Sequence, residues 1–360
     1  MASQPVDSDV RSGPATAPPR IPRKRLVPRL APDYSQKLRF SFQAAFVLLN
    51  VFLGIQFYLF VRYFESGGHT LRVPRPAGVE GWLPIAGLMN LKYFVSTGTV
   101  PAIHPAAMVL LAAFLLMSIL FHKAFCGWLC PIGTLSEGLW KAGRRFLKFN
   151  RRLPRWADTA LRSLKYILLG FFAYAVLGMP AAAIRAFLEG PYGMIADVKM
   201  LNFFRLMGST AAITLLALVL LSIAIKNFWC RYLCPYGALV GLGSLLSPAR
   251  IRRNPDRCID CAKCAVACPS LLPVDKKITI RSAECTACLE CVAVCPAQDA
   301  LAMSGPRTGI LPAWALAAGV AAIFLGIVLA AKLTGHWQTI LSDQVFFELI
   351  PRAQDFTHPY

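Results

Sequence analysis

The chain has 360 residues, is 56% hydrophobic, and carries a mean hydropathy of +0.52 and a formal net charge of +20. A soluble domain of this length would be far more polar, and several apolar runs come close to the roughly 20 residues that a helix needs to cross a bilayer. The charge does not mark a nucleic-acid binder, because it is segregated between those runs in alternation.

Residues 1–39 hold seven prolines and eight basic residues, the composition of a disordered basic segment. They make a poor signal peptide. The basic region is too long, and no small-residue cleavage site follows the first apolar run. That run, 40–61, reads as a retained anchor and the first span. It opens a first membrane repeat, 40–135, whose second span, 101–121, leads into "FCGWLCPIGTL" at 125–135. A basic loop, 136–165, follows. A second membrane repeat, 166–249, holds spans at 166–184 and 209–225 and then writes "WCRYLCPYGAL" at 229–239, with six of eleven positions identical to the first copy. A module over 250–304 precedes the fifth span, about 311–331 within 305–335, and a tail over 336–360. The buried helices of a large soluble protein are the alternative to five spans, and five such runs free of charge at their centres argue against it.

Lys and Arg alternate along this order. The N-terminal segment and the segments after spans two and four hold 29 of the 38, and the others hold 9. The positive-inside rule then places the N-terminus and the basic segments in the cytoplasm and the C-terminus outside. All twelve cysteines lie between residues 126 and 295, on the side where thiols stay reduced. Metal or redox chemistry is favoured over structural disulfides.

Eight cysteines form "CIDCAKCAVACP" (258–269) and "CTACLECVAVCP" (285–296), each C-x2-C-x2-C-x3-C-P. This is the two-cluster bacterial ferredoxin spacing, in which the fourth cysteine of each run serves the other cluster. The expected ligand sets are Cys258, Cys261, Cys264 with Cys295, and Cys285, Cys288, Cys291 with Cys268. Zinc would need paired C-x2-C units with four thiolates per site, which two complete eight-cysteine repeats do not resemble. Between them "KKITIRSAE" contains a short alternating stretch suited to a small strand. The fold class expected is therefore a mostly α membrane protein. Five transmembrane helices form two parallel span-loop-span repeats plus a fifth span, with an inserted α+β two-[4Fe–4S] ferredoxin-like module.

Each C-x3-C-P turn (Cys126 and Cys130, Cys230 and Cys234) follows a span. A spacing of four puts both sulfurs on one side of a helical turn, and proline suits the first turn of the next helix. Two such pairs joined by a repeat axis would offer four thiolates, for a further cluster or soft metal or for dithiol–disulfide cycling. The alternative is that they are small packing residues at a helix end. Weaker signals are Glu80 and Glu189, each before a glycine in an outer loop, as candidate proton acceptors for quinol oxidation. Helix capping or a plain loop role competes for both. The histidines are His69, His104, His122, His336 and His358. Haem is not expected, because His104 and His122 sit at opposite ends of one span. The tail "FFELIPRAQDFTHPY" begins amphipathically and suits the outer surface.

The paired turns, the paired ferredoxin motifs and their order over roughly 40–335 resemble the membrane polyferredoxins of the NapH, NosR and YccM type, closest to the stand-alone YccM-like members. The resemblance implies an inner-membrane protein that passes electrons, often from quinol toward an outer acceptor, with a reductase or cytochrome as partner. The chain has neither the large outer N-terminal domain nor the immunoglobulin-like tail of some relatives, so functions resting on those do not carry over. Two other readings stay open: a copper-binding or copper-reducing assembly factor using the C-x3-C-P thiols, and a redox-sensing membrane regulator.

Overall fold

The structure is a computed structural model and describes residues 27–30, 32–146, 148, 153–305 and 309–357. Helix α1 (Ser35–Glu65) is a 31-residue apolar rod. A 3-10 turn (Ala77–Trp82) leads to α2 (Pro84–Thr97) and α3 (Pro105–Phe121). Both helices begin on a proline, whose missing N–H costs nothing in a first turn. The short α4 (Ala124–Trp128) and then α5 (Pro131–Phe146) complete the first half.

The second half of the helical part follows. It has α6 (Arg155–Gly178), three short helices α7 (Ala181–Glu189), α8 (Pro191–Met194) and α9 (Ala196–Arg205), then α10 (Ser209–Ala224). A π-type turn (Trp229–Leu233) precedes α11 (Pro235–Ser244). Helix α5 packs on α10 and α11 packs on α3, so each half lends its last helix to the apolar helix of the other. Helix α14 (Ala313–Leu333) packs on α1 and α3.

Among the described residues three helices, α1, α6 and α14, are long and apolar enough to cross a membrane, and the bent pair of α9 and α10 makes a fourth if it counts as one span. The expected span 166–184 is shifted toward the N-terminus: α6 starts at Arg155 and stops at Gly178, because Pro180 cannot continue the ladder. Helix α10 has 16 residues and forms an 82° bend with α9, and α3 has 17. At 1.5 Å per residue these two reach only about 24–26 Å.

The module between α11 and α14 holds β1 (Arg250–Arg253) antiparallel to β2 (Leu301–Ser304), in the register Arg250 opposite Ser304, with α12 (Lys263–Ala267) packed on α13 (Glu290–Ala293). The stretch expected as a strand, 276–284, makes one bridge, Thr279 to Arg252, alongside β1. Its inner residues Ile251, Ile280 and Met303 are buried in one core with Phe114, Phe125 and Trp128 of the helical part, so module and helices share a core.

Two expectations change at the ends. Disorder to residue 39 does not hold over the last stretch. Val27 and Arg29 exchange backbone hydrogen bonds with Gln298 and Pro296 (2.9 and 3.0 Å), and α1 starts at Ser35; residues 1–26 lie outside the described residues. In the tail, α15 (Asp343–Leu349) presses Phe346 and Leu349 onto Phe57, Phe60 and Phe64 of α1. The apolar face of the tail therefore meets protein.

Candidate functional site

The two cysteine runs of the module adopt the same unusual backbone. Asp260 and Ala262 in the first run have φ of 55° and 56°, and Ala287 and Leu289, at the equivalent places in the second, have φ of 50° and 57°. None is glycine. Each such residue costs roughly 1–2 kcal/mol, and spending it at matching points curls both loops so that their thiols face inward. Each curl ends at Ala262 or Leu289, which caps α12 or α13. Cys258, Cys261, Cys264 and Cys295 line one cavity. Burial first, and then the proximity of Cys288, Cys285 and Cys268, raises the pKa of Cys291. Among the described residues no three Cys, His, Asp or Glu side chains close on a point as a single metal ion demands. A cubane takes one thiolate at each of four corners, and the four cysteines of that cavity supply such a donor set. The loops and their thiols fit [4Fe–4S] groups.

The two groups of four differ in depth. Cys261 is exposed, whereas Cys268, Cys288 and Cys291 are buried. Burial pushes the Cys285 thiol up to about 12 and Cys288 to about 11, so idle thiols here stay protonated.

The C-x3-C-P turns are built alike. In the first, the Gly133 N–H points at Cys130 Sγ (3.4 Å), and in the second the Gly237 N–H points at Cys234 Sγ (3.2 Å). The sulfur thus caps the helix that begins on Pro131 or Pro235. A Cβ at Gly133 would stand 2.6 Å from the Cys126 carbonyl, which accounts for the glycine two residues after the proline in the first copy. All four cysteines line one cavity of about 900 Å3. It begins beneath the module, runs between Phe46, Phe114, Phe172 and Phe324, and reaches Arg75 and Trp82 at the far end. Burial pushes Cys126 up to about 11 and Cys130 to about 12, and raises Cys230 and Cys234.

The first turn also docks the module. The Trp128 indole N–H donates to the Ala287 carbonyl (3.0 Å), and a Cβ at Gly127 would meet the Thr286 carbonyl at 2.3 Å. The second turn carries Arg231 and Tyr232 at those places. Both bind Asp158 near the start of α6, at 2.6 Å each, and Arg162 joins them.

Two ion networks bracket the second cysteine run. Glu284, just before Cys285, receives Lys165 Nζ on both oxygens (2.6 Å each) and the Tyr166 hydroxyl (3.1 Å). Burial disfavours its charge, but Lys123 and Lys165 outweigh that and lower its pKa. Glu290, just before Cys291, receives Arg39 (3.0 Å) and Lys141 (2.7 Å), and Arg39 also grips Glu137 with both terminal nitrogens (2.8 and 2.6 Å). The Gln36 amide donates to the Cys288 carbonyl (3.0 Å). The sequence reading missed these groups. Lysines at 123 and 165, each beside an apolar run, were the available signal.

At the opposite end of the cavity, Glu80 and His104 are fully buried. Arg75 reaches Glu80 (2.7 Å) and Asp197 (2.6 Å), and His104 Nδ1 lies 3.4 Å from Glu80 while Nε2 lies 2.8 Å from the Gly193 carbonyl. Glu189 is instead half-exposed and pairs with Arg185 (2.8 Å), so the two Glu–Gly positions are not equivalent. His69 and His336 are exposed, His122 is buried at the end of α3, and His358 lies outside the described residues.

An α-helical membrane scaffold carrying a ferredoxin-type double cysteine run defines an iron–sulfur membrane protein. Residues 103–154 and 208–254 match the family model described as a 4Fe-4S binding domain, and residues 250–296 match that of a 4Fe-4S dicluster domain. YccM of Escherichia coli (strain K12), assigned provisionally to electron transport, is 47% identical over 88% of this chain and 90% of its own length. The ferredoxin-type protein NapH of the same strain is 27% identical over 53% of this chain and 67% of its own. The protein NirI of Paracoccus denitrificans (strain Pd 1222) is 31% identical over 52% and 28%. No solved structure matches the chain. The chain belongs to the YccM family of membrane polyferredoxins.

Proposed function

We propose that the protein is a membrane electron relay, passing single electrons between a lipid-soluble or cytoplasmic donor and a partner reductase. One observation carries this reading. The four C-x3-C-P cysteines line an apolar cavity of quinol-accommodating size, about 900 Å3, and the turn bearing two of them touches the 286–287 backbone of the second cysteine run. A lipid-soluble carrier, thiol site and ferredoxin module then lie in series.

In this reading Cys258, Cys261, Cys264 and Cys295 hold one [4Fe–4S] group, and Cys285, Cys288, Cys291 and Cys268 hold a second. When bound, such groups supply one-electron chemistry. The chain's own contribution is positional. Lys165, Arg39 and Lys141 fix the carboxylates flanking Cys285 and Cys291, and the buried surroundings exclude water. Cys126, Cys130, Cys230 and Cys234 act together where the cavity meets the module, as ligands or as a dithiol pair. Five spans in two parallel repeats remain the proposed topology, with the module cytoplasmic and the C-terminus outside. The reciprocal packing of α5 on α10 and α11 on α3 supports a shared axis, and the basic-residue bias supports the orientation.

Anaerobic purification with iron, sulfide and copper analysis, EPR and quinol titration tests the reading. About eight irons, with one cluster lost in Cys261→Ser, are expected. Fewer than about four irons with zinc in their place ends it, and stoichiometric copper on the four turn cysteines would favour metal handling instead. Reporters fused at residues 145 and 275 should read cytoplasmic and those at 75 and 345 outside; an active outer-face reporter at 275 overturns the topology.

A further inference from the structure

The relay needs a place where a soluble partner approaches, and the module offers one. Of the eight ferredoxin cysteines, Cys261 alone is exposed. It lines a small cavity together with Arg253, Lys263 and Asp275. Lys276 and Lys277 follow Asp275 in the chain and are exposed. Hydrogen bonds from Arg253 to the carbonyls of Ile278 (2.7 Å) and Lys277 (3.4 Å) hold that stretch beside the cavity. Lys263, Lys276 and Lys277 make no ion pair with any carboxylate among the described residues, whereas Arg253 is paired with Asp260 (3.3 Å). Two large apolar side chains, Val266 and Ile278, stand 52% and 60% exposed on the same segments.

An exposed redox ligand with apolar residues beside it and unpaired cations around it has the makings of a transient docking face. The apolar atoms allow close approach, and the cations steer a partner of opposite charge and raise its on-rate. We propose that this face is the soluble end of the relay and that its partner is a small acidic one-electron carrier protein. The inference rests on the relay reading. One electron crosses between the carrier's redox centre and the group held by Cys258, Cys261, Cys264 and Cys295, one being oxidised as the other is reduced. No bond is made or broken and no proton is required.

The test uses the full-length protein, anaerobically purified with its clusters and reconstituted in nanodiscs of neutral lipid. Its probes are a reduced acidic [2Fe–2S] ferredoxin, a basic c-type cytochrome and reduced methyl viologen. Reduction by the acidic ferredoxin should slow at least tenfold as salt rises from low to physiological ionic strength. It should slow by a similar factor in Lys276→Glu/Lys277→Glu, with binding of the acidic ferredoxin weakened in parallel. Reduction by viologen and the EPR spectra should be unchanged in that variant. Lys276→Arg/Lys277→Arg should retain the wild-type rate and salt response. Salt-independent reduction, an unaffected charge-reversal variant, or faster exchange with the basic cytochrome would each overturn the proposal. So would a salt response seen only in nanodiscs of anionic lipid, which would assign the lysines to lipid headgroups. Absence of EPR-active clusters in the wild type would instead strike the relay reading itself, and viologen reduction without carrier reduction would strike only the docking face.

Discussion

The two cysteine turns share their sulfurs, proline and glycine, and differ in what they hold. Around Cys126, the small Gly127 and the indole of Trp128 lie against the backbone of the second cysteine run. Around Cys230, Arg231 and Tyr232 reach Asp158 on α6. The two turns share the thiol geometry and differ in their mechanical work. One copy docks the ferredoxin module and the other locks the helices. The charge of Arg231 is useful only where a buried carboxylate awaits it, and Gly127 only where another backbone passes within van der Waals contact.

The largest expected effect tests what the copies share. If both turns form one site, Cys130→Ser and Cys234→Ser should each lower quinol-driven electron delivery by about 100-fold or more, while the EPR signals of the eight ferredoxin cysteines persist. Full activity in either variant would make that pair packing residues and split the site.

The next effect tests what they do not share. Arg231→Ala leaves Asp158 with Arg162 and Tyr232 only, and should destabilise the protein by about 3 kcal/mol, read by thermal unfolding in detergent, with a smaller change in the cluster EPR spectrum than Gly127→Ala brings. Gly127→Ala should destabilise by about 1–3 kcal/mol as its methyl presses on the Thr286 carbonyl, and it should also shift the EPR spectrum or midpoint potential of the inner cluster. Equal spectroscopic behaviour of the two variants would erase the division of work. Trp128→Phe keeps the ring and removes one hydrogen bond, so about 1 kcal/mol is expected, again with a response confined to the inner cluster.

The smallest effect is a pH limb. Burial disfavours ionisation of Glu137, but Arg39 and Lys141 outweigh it and hold its carboxyl at about 2. With the folded value below the ordinary 4.5, the stabilisation is fully present above that pH and fades as pH falls toward the folded value. Thermal unfolding followed from neutral pH downward should show this loss in the wild type and a flatter profile in Glu137→Gln. An identical acid limb in both would remove Glu137 from the clasp.

Local spacing made the module legible. The C-x2-C-x2-C-x3-C-P runs keep their thiols within a few residues of one another, so the iron–sulfur class is written locally, and Cys295 lines the cavity of Cys258, Cys261 and Cys264. The helix starts at Pro131 and Pro235 were equally local. Span length was less so. Hydropathy sums over a window and does not feel the break at Pro180 or the bend before Ser209.

The sequence by itself determined the cysteine chemistry, the duplicated turn and the membrane class, because each is written in residues close together in the chain. Only the tertiary structure decided that Glu80 is neutralised by Arg75 while Glu189 is left near solvent. It likewise decided that Arg39 reaches Glu290 across 251 positions and that Lys165 reaches Glu284 across 119. Those pairings are set by which helices pack together. An ion pair between distant residues has no period or spacing to betray it, and burial is what makes each one matter.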